Sequence, residues 1–241
     1  MSVRVSRFFI DSDLVANSDI TISDEKAHYI RNVLRLKDGD LLSLFNGKGG
    51  EYSGEIITVG KKSVAVRLGK FQAVDRTPQA AVQLGLCILK RDAMDLTLQK
   101  ATELGVSSIQ LIISERITVS HKQIQNRLAH WQAILISSCE QCGLNILPVL
   151  HKPMLLDEWC HSAKGLKLIA DPNANASSEK IAEHDAVSVL VGPEGGFTQE
   201  EVSTAYSVGF EGIFLGERIL RAETAAISLL AVVNQGLLKS H

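Results

Sequence analysis

The chain has 241 residues, 45% hydrophobic and 22% charged, with 25 basic and 27 acidic side chains for a net charge of −2. That length suits one large domain or two small ones, and that composition excludes a disordered chain. The near-neutral balance also excludes a strongly basic nucleic-acid coat protein, so any RNA contact must come from local patches.

The opening residues MSVRVSRFFIDSD lack the apolar run of an export signal. The longest apolar stretch, Ala225 to Val233, is interrupted by Ser228 and falls short of the ~20 residues a membrane span needs. A cytoplasmic protein with no membrane association is expected.

Residues 1–72 read as a small β-rich domain. LLSLFNGKGGEYSGEIITVG and KSVAVRLG alternate apolar and polar residues around Asn46-Gly47 and Gly49-Gly50 turns. One helix is predicted over Asp24 to Leu36, with Ile30, Val33 and Leu34 facing inward. His28, Arg31 and Arg35 then share a second, basic face. Two readings of that face stay open: a solvated surface, or phosphate contact through the arginine forks.

Residues 71–81, FQAVDRTPQAA, read as a linker into a second domain of residues 73–241. There strands and helices alternate. Strands are predicted at Val82–Leu89, Ile109–Ile113, Leu166–Ala170, Val187–Val191 and Ile213–Leu215. Helices are predicted at Asp92–Leu104, closed by Gly105, at His121–Cys142, and at the C-terminus. Such alternation implies a mostly parallel sheet covered on both faces. Ligands of such sheets bind beyond the strand carboxyl ends, which points to the loops after Ala170, Val191 and Leu215.

Two of those loops carry unusual residues. Gly192-Pro193-Glu194-Gly195-Gly196 interrupts an apolar strand, and Thr198 with Glu201 then forms a capping-box pattern. The loop is neither GxGxxG nor a P-loop, so dinucleotide and nucleoside-triphosphate binding are unsupported. The other loop, 216–224, contains Glu217, Arg218, Arg221 and Glu223 before an apolar helix opened by Thr224 and Ala225. Cys139 and Cys142 form a lone CxxC at helical spacing, without a second pair to complete a zinc site; together with Cys87 and Cys160 they read as structural thiols. No metal is expected.

GPEGGF at 192–197 followed by LGERILRAETA at 215–225 resembles the paired signature of the ribosomal RNA small subunit methyltransferase E family, within the SPOUT superfamily. Arg7-Phe8-Phe9, HYIRNVLRLKDGD at 28–40, LQKATELGV at 98–106, SER at 114–116 and CEQCG at 139–143 are similar to further family motifs, in the same order. The resemblance covers essentially the whole chain. One departure is Leu144, where the family usually has Arg.

The resemblance implies a PUA-like β-barrel for RNA, then an α/β methyltransferase domain whose end is threaded as a trefoil knot. It implies a homodimer that uses S-adenosylmethionine to methylate N3 of one uridine in the decoding region of 16S rRNA, within the assembled small ribosomal subunit. The cofactor would lie against Gly192, Pro193, Glu194, Gly195, Gly196, Leu215, Gly216, Ile219, Leu220, Thr224 and Ala225. RNA would be held by Arg4, Arg7, His28, Arg31, Arg35, Lys90 and Arg91. Uridine N3 must lose a proton, and charge then spreads onto the flanking carbonyl oxygens. Arg221 is expected to stabilise that charge, and Glu140 is the weaker choice of proton acceptor. A tRNA-specific relative, a non-catalytic assembly factor and a nucleotide-dependent oxidoreductase are the competing readings. The motif order, the intact loops and the missing GxGxxG, in turn, count against them.

Overall fold

The computed structural model describes residues 5–174 and 181–238. Arg4 lies outside them. The chain forms two compact units. One runs to Thr77 and takes in Cys139–Leu147, and the other holds Pro78–Ser138 and the chain from Pro148 onward.

The first unit contains β1 (Ser6–Phe9), β2 (Asp19–Ser23), α1 (Asp24–His28), β3 (Leu41–Phe45), β4 (Glu51–Val59) and β5 (Ser63–Gln72). They form a five-stranded sheet in the order β1-β3-β4-β5-β2, with only β1 and β3 parallel. Alternation along β5 sends Val64, Val66 and Leu68 into a core with Phe8, Ile22, Ile30, Leu44 and Ile56.

The helix predicted over 24–36 is shorter than its spacing suggests. After α1 the backbone widens into a π-helical turn, Tyr29–Val33, and Arg35 takes a left-handed φ of 55°. A π turn shifts the phase of the residues that follow it. Val33, expected inside, is 58% exposed. Arg35 lies beyond the helix, so His28, Arg31 and Arg35 are not carried on one helix as the spacing predicts. His28 is exposed, while Arg31 donates to the Lys61 carbonyl at 2.7 Å.

Arg7 also departs from its expected role on the surface. Its guanidinium pairs with Glu51, donates to Leu144 O at 3.1 Å and to Asn145 Oδ1 at 2.6 Å, and lies 4.9 Å from the Phe45 ring centre. Arg76 adds a hydrogen bond to Gly143 O at 3.0 Å and stands 3.7 Å from Glu51. Arg7 is therefore a clamp that gathers Cys139–Leu147 into the first unit, and it is not displayed for RNA. Leu144 is buried there.

The second unit contains β6 (Ala81–Cys87), α2 (Arg91–Glu103), β7 (Ser108–Ile113), α3 (His121–Gln125), α4 (Leu128–Cys142, its last residues counted with the first unit), β8 (Val149–Leu155), α5 (Leu156–Ser162), β9 (Leu166–Ala170), β10 (Ala186–Val191), α6 (Gln199–Ser207), β11 (Glu211–Ile213) and α7 (Ala222–Leu238). All pairs in its six-stranded sheet are parallel, in the order β11-β9-β10-β6-β7-β8. One core lies between the sheet and α2, α4 and α7, and includes Leu84, Leu98, Trp131, Val189 and Leu229. The other includes Ile112, Trp159, Ile169, Leu190 and Phe210. Where the spacing predicts one helix over 121–142, the chain breaks between α3 and α4. Ser120 and Gln123 cap α3 reciprocally, giving the short helix its own start. The strand β8 and helix α5 were not predicted.

All four cysteines are free thiols, and Cys142 alone is only half-buried. Burial pushes the Cys139 and Cys160 thiols up to about 12 and raises that of Cys87 as well. An acid whose folded pKa exceeds its unfolded value stabilises the fold fully below that unfolded value, and the contribution is lost as pH rises. The urea midpoint should therefore fall above about pH 9. At pH 8 Cys142 should react with a thiol reagent well before the other three, as monitored by peptide mass analysis.

Candidate active site

The carboxyl ends of β6, β9, β10 and β11 open onto a cavity of about 990 Å³ within the second unit. Its walls are residues 90–93 after β6, 170–173 after β9, 191–197 after β10 and the loop 215–225 leading into α7. Parallel pairing places the ends of these strands side by side, which is why loops distant in sequence meet here.

The loop after β10 is held from several sides. Glu194 Oε1 accepts from Lys90 N–H at 2.8 Å, tying it to the start of α2. Arg116 donates to the carbonyls of Gly195, at 3.1 Å, and Phe197, at 3.3 Å. Thr198 then caps α6: Thr198 N–H donates to Glu201 Oε2 at 2.9 Å, and Glu201 N–H donates to Thr198 Oγ1 at 3.2 Å. The other Glu201 oxygen accepts from Glu115 N–H at 2.8 Å. The predicted capping box thus also anchors the loop after β7. Gly196 and Gly216 have φ of +68° and +103°, and a side chain on either would stand in open space. These turns favour glycine by conformation and leave bare backbone facing the cavity.

The structure brings together Gly192, Pro193, Glu194, Gly195, Gly196, Leu215, Gly216, Ile219, Leu220 and Ala225, with Arg221, Lys90 and Arg91. Thr224 is exposed and does not line the cavity. It lies on the outward side of the first turn of α7, where its neighbours Glu223 and Ala225 face in. Arg221 has a side chain 87% exposed, 4.0 Å from Glu223. Ile219 is 95% exposed. Glu140 belongs to the first unit: its Oε1 accepts from Phe9 N–H at 2.9 Å and stands 3.4 Å from Lys26 Nζ. Within the first unit this carboxylate is thus already engaged by a backbone amide and a cation.

Three further positions at the cavity were not among the expected site residues. Asp171 and Arg218 line the cavity, and Arg116 holds one of its walls. The dipeptide Asp171-Pro172 at the end of a predicted strand was the available signal for the first. For Arg116 the signal was the family-like SER at 114–116, but not its task, because its partners are backbone carbonyls about eighty residues away.

A model of the RNA methyltransferase domain matches residues 75–234, and one of the RNA methyltransferase PUA domain matches residues 22–69. The ribosomal RNA small subunit methyltransferase E of Buchnera aphidicola subsp. Schizaphis graminum is 33% identical over 238 residues, 97% of both chains. That of Rickettsia conorii is 34% identical over 247 residues, 99% of this chain and 98% of its own. This chain belongs to the ribosomal RNA small subunit methyltransferase E family. A member of that family from Neisseria gonorrhoeae, solved bound to S-adenosyl methionine, aligns with a TM-score of 0.89 at 33% identity, covering 96% of this chain and 98% of its own. A Legionella pneumophila methyltransferase solved with the same cofactor aligns at 0.91 and 34%, covering 97% and 98%. The RNA methyltransferase match thus covers most of the second unit and runs through Cys139–Leu147 of the first, and the PUA match lies within the first.

Arg116 supports the glycine loop through main-chain carbonyls, so its loss should loosen that loop without unfolding the sheet. In Arg116→Ala, amide hydrogen exchange at Gly195 to Phe197 is expected to speed up about tenfold, the effect of losing roughly one charged-donor hydrogen bond. Exchange in β6 and β10 should stay unchanged.

Proposed function

We propose that this chain transfers a methyl group from S-adenosylmethionine to N3 of one uridine in the decoding region of 16S rRNA. It acts on the assembled small subunit, as a homodimer, in the cytoplasm. The observation that carries this reading is the cavity walled by the loops after β9, β10 and β11, with arginines at its rim. Among the described residues no helix is long and apolar enough to cross a membrane.

The residues present fit the cofactor. Val191, Leu215, Leu220 and Ala225 give apolar wall, while Gly196 and Gly216 bring backbone to the cavity with no side chain in the way. An apolar slot with a few fixed polar groups is what a nucleoside needs. Bound there, S-adenosylmethionine supplies an electrophilic methyl group on a positive sulfur. The return of α7 to pack on β9, β10 and the turn Ile181–Glu183 supports the knotted course of the chain end.

The protein's part is to orient the uridine and to stabilise its deprotonated ring. Arg221 reaches out from the cavity wall, and its guanidinium fork suits the negative charge on the uracil oxygens. Lys90, Arg91 and Arg218 add positive charge at the same rim and suit RNA phosphates. His28 and Arg31 of the first unit are further RNA contacts.

The test is methyl incorporation from labelled S-adenosylmethionine into unmodified small subunits, naked 16S rRNA and tRNA, followed by nucleoside analysis. 3-Methyluridine formed with subunits alone is the expected outcome. Label in tRNA, or in another nucleoside, would refute the substrate assignment. Arg221→Ala should lower kcat about 10²–10³-fold, the usual cost of removing one preorganised donor to a developing anion. Its affinity for S-adenosylmethionine should change little.

Glu140→Gln gives a separate outcome. It should keep the pH profile of methylation, since the wild-type carboxylate is held by Phe9 N–H and Lys26. Loss of the acid limb in that variant would restore Glu140 as the proton acceptor.

A further inference from the structure

We infer that Asp171 binds the ammonium of the amino-acid end of the cofactor, and that Tyr206 positions it for this. The inference rests on the S-adenosylmethionine reading of the cavity and names a contact within it.

Asp171 follows directly on β9, is 9% exposed, and lines the cavity. Its Oδ1 accepts from Asn173 N–H at 2.8 Å, and its Oδ2 accepts from the Tyr206 hydroxyl. Its own N–H donates to Ile213 O at 3.3 Å, which ties its backbone to β11. Three elements therefore fix this carboxylate: β9, β11 and, through Tyr206, α6. The arrangement depends on Gly212 as well. A Cβ there would lie 2.4 Å from the Tyr206 hydroxyl oxygen, so β11 leaves the space that the tyrosine fills. Burial and the hydrogen bond to Asp171 push the Tyr206 hydroxyl up to about 12, so it remains a donor across the physiological range.

Both donors to Asp171 are neutral. Among the described residues no cation pairs with it. A buried carboxylate left in that condition is costly unless a partner completes it. An ionised carboxylate offers about four lone-pair sites, and two are occupied here. The remaining sites face a ligand that must bring hydrogen-bond donors and, to balance the charge, be positive. Ribose hydroxyls bring donors but no charge. The sulfonium brings charge but no N–H or O–H donor. The α-ammonium brings both, and charge-assisted hydrogen bonds are roughly twice as strong as neutral ones.

Calorimetry on the purified full chain can test this with three ligands. S-adenosylmethionine and S-adenosylhomocysteine carry the ammonium. Methylthioadenosine keeps the nucleoside and sulfur but lacks the amino-acid end; where direct heats are small, its affinity is read by displacing S-adenosylhomocysteine. Asp171→Asn should weaken the first two by about 10–100-fold, the worth of a hydrogen bond to a charged group. It should leave methylthioadenosine within about twofold. Tyr206→Phe keeps the charge but frees the carboxylate, and should weaken the first two several-fold with the third unchanged. That pattern separates positioning from folding, because a collapsed cavity would lose all three ligands together. Equal weakening of methylthioadenosine would overturn the proposal in favour of a ribose or packing role. Unchanged binding of the first two in Asp171→Asn would overturn it outright. Failure of the wild-type protein to bind S-adenosylmethionine would instead refute the cofactor reading itself.

Discussion

Parallel pairing of β11, β9, β10 and β6 is the constraint on which the site depends. Each of these strands ends on the same side of the sheet, so each following loop must turn there. β11 pairs with β9, although β10 comes between those two in the chain. That order brings Asp171, Gly192 and Gly216 to one cavity. The strands are buried on both faces, and a core of aliphatic side chains with Trp131 and Trp159 holds them rigidly. A rigid sheet gives the loops fixed roots, and the loops supply the chemistry.

The loops themselves are braced through main-chain atoms. Arg116 holds two carbonyls, Glu194 accepts the amide that opens α2, and Glu201 serves Thr198 and Glu115 at once. Charged side chains on backbone groups make strong hydrogen bonds that depend little on neighbouring side-chain rotamers. A site that must align three atoms for an in-line displacement benefits from such bracing, because small misplacements cost large factors in rate.

In the first unit the comparable device is the cluster of Arg7, Glu51, Asn145 and Arg76. A buried cation paired with one carboxylate and two backbone or amide oxygens is costly to assemble but highly directional. It draws in the segment after α4, whose Gly143 and Leu144 carbonyls are its acceptors. Glu140, in the last turn of α4, is held by Phe9 N–H and Lys26. Arg7 and Glu140 thus have partners within the first unit.

The sequence by itself determined the α/β alternation, the Thr198–Glu201 cap and the two glycine-bearing loops of the cavity, but not that Cys139–Leu147 joins the first unit. Those features are local: period, capping pattern and turn chemistry act over a few residues, so a window of sequence contains their cause. Tertiary structure alone decided the π-helical turn after which Arg35 leaves the helix, and the engagement of Arg7 and Glu140 within the first unit. It also decided the bracing by Arg116 and the pairing of Asp171 with Tyr206. Each of these depends on groups far apart in the chain, and only the packed core and the order of the strands bring such groups together.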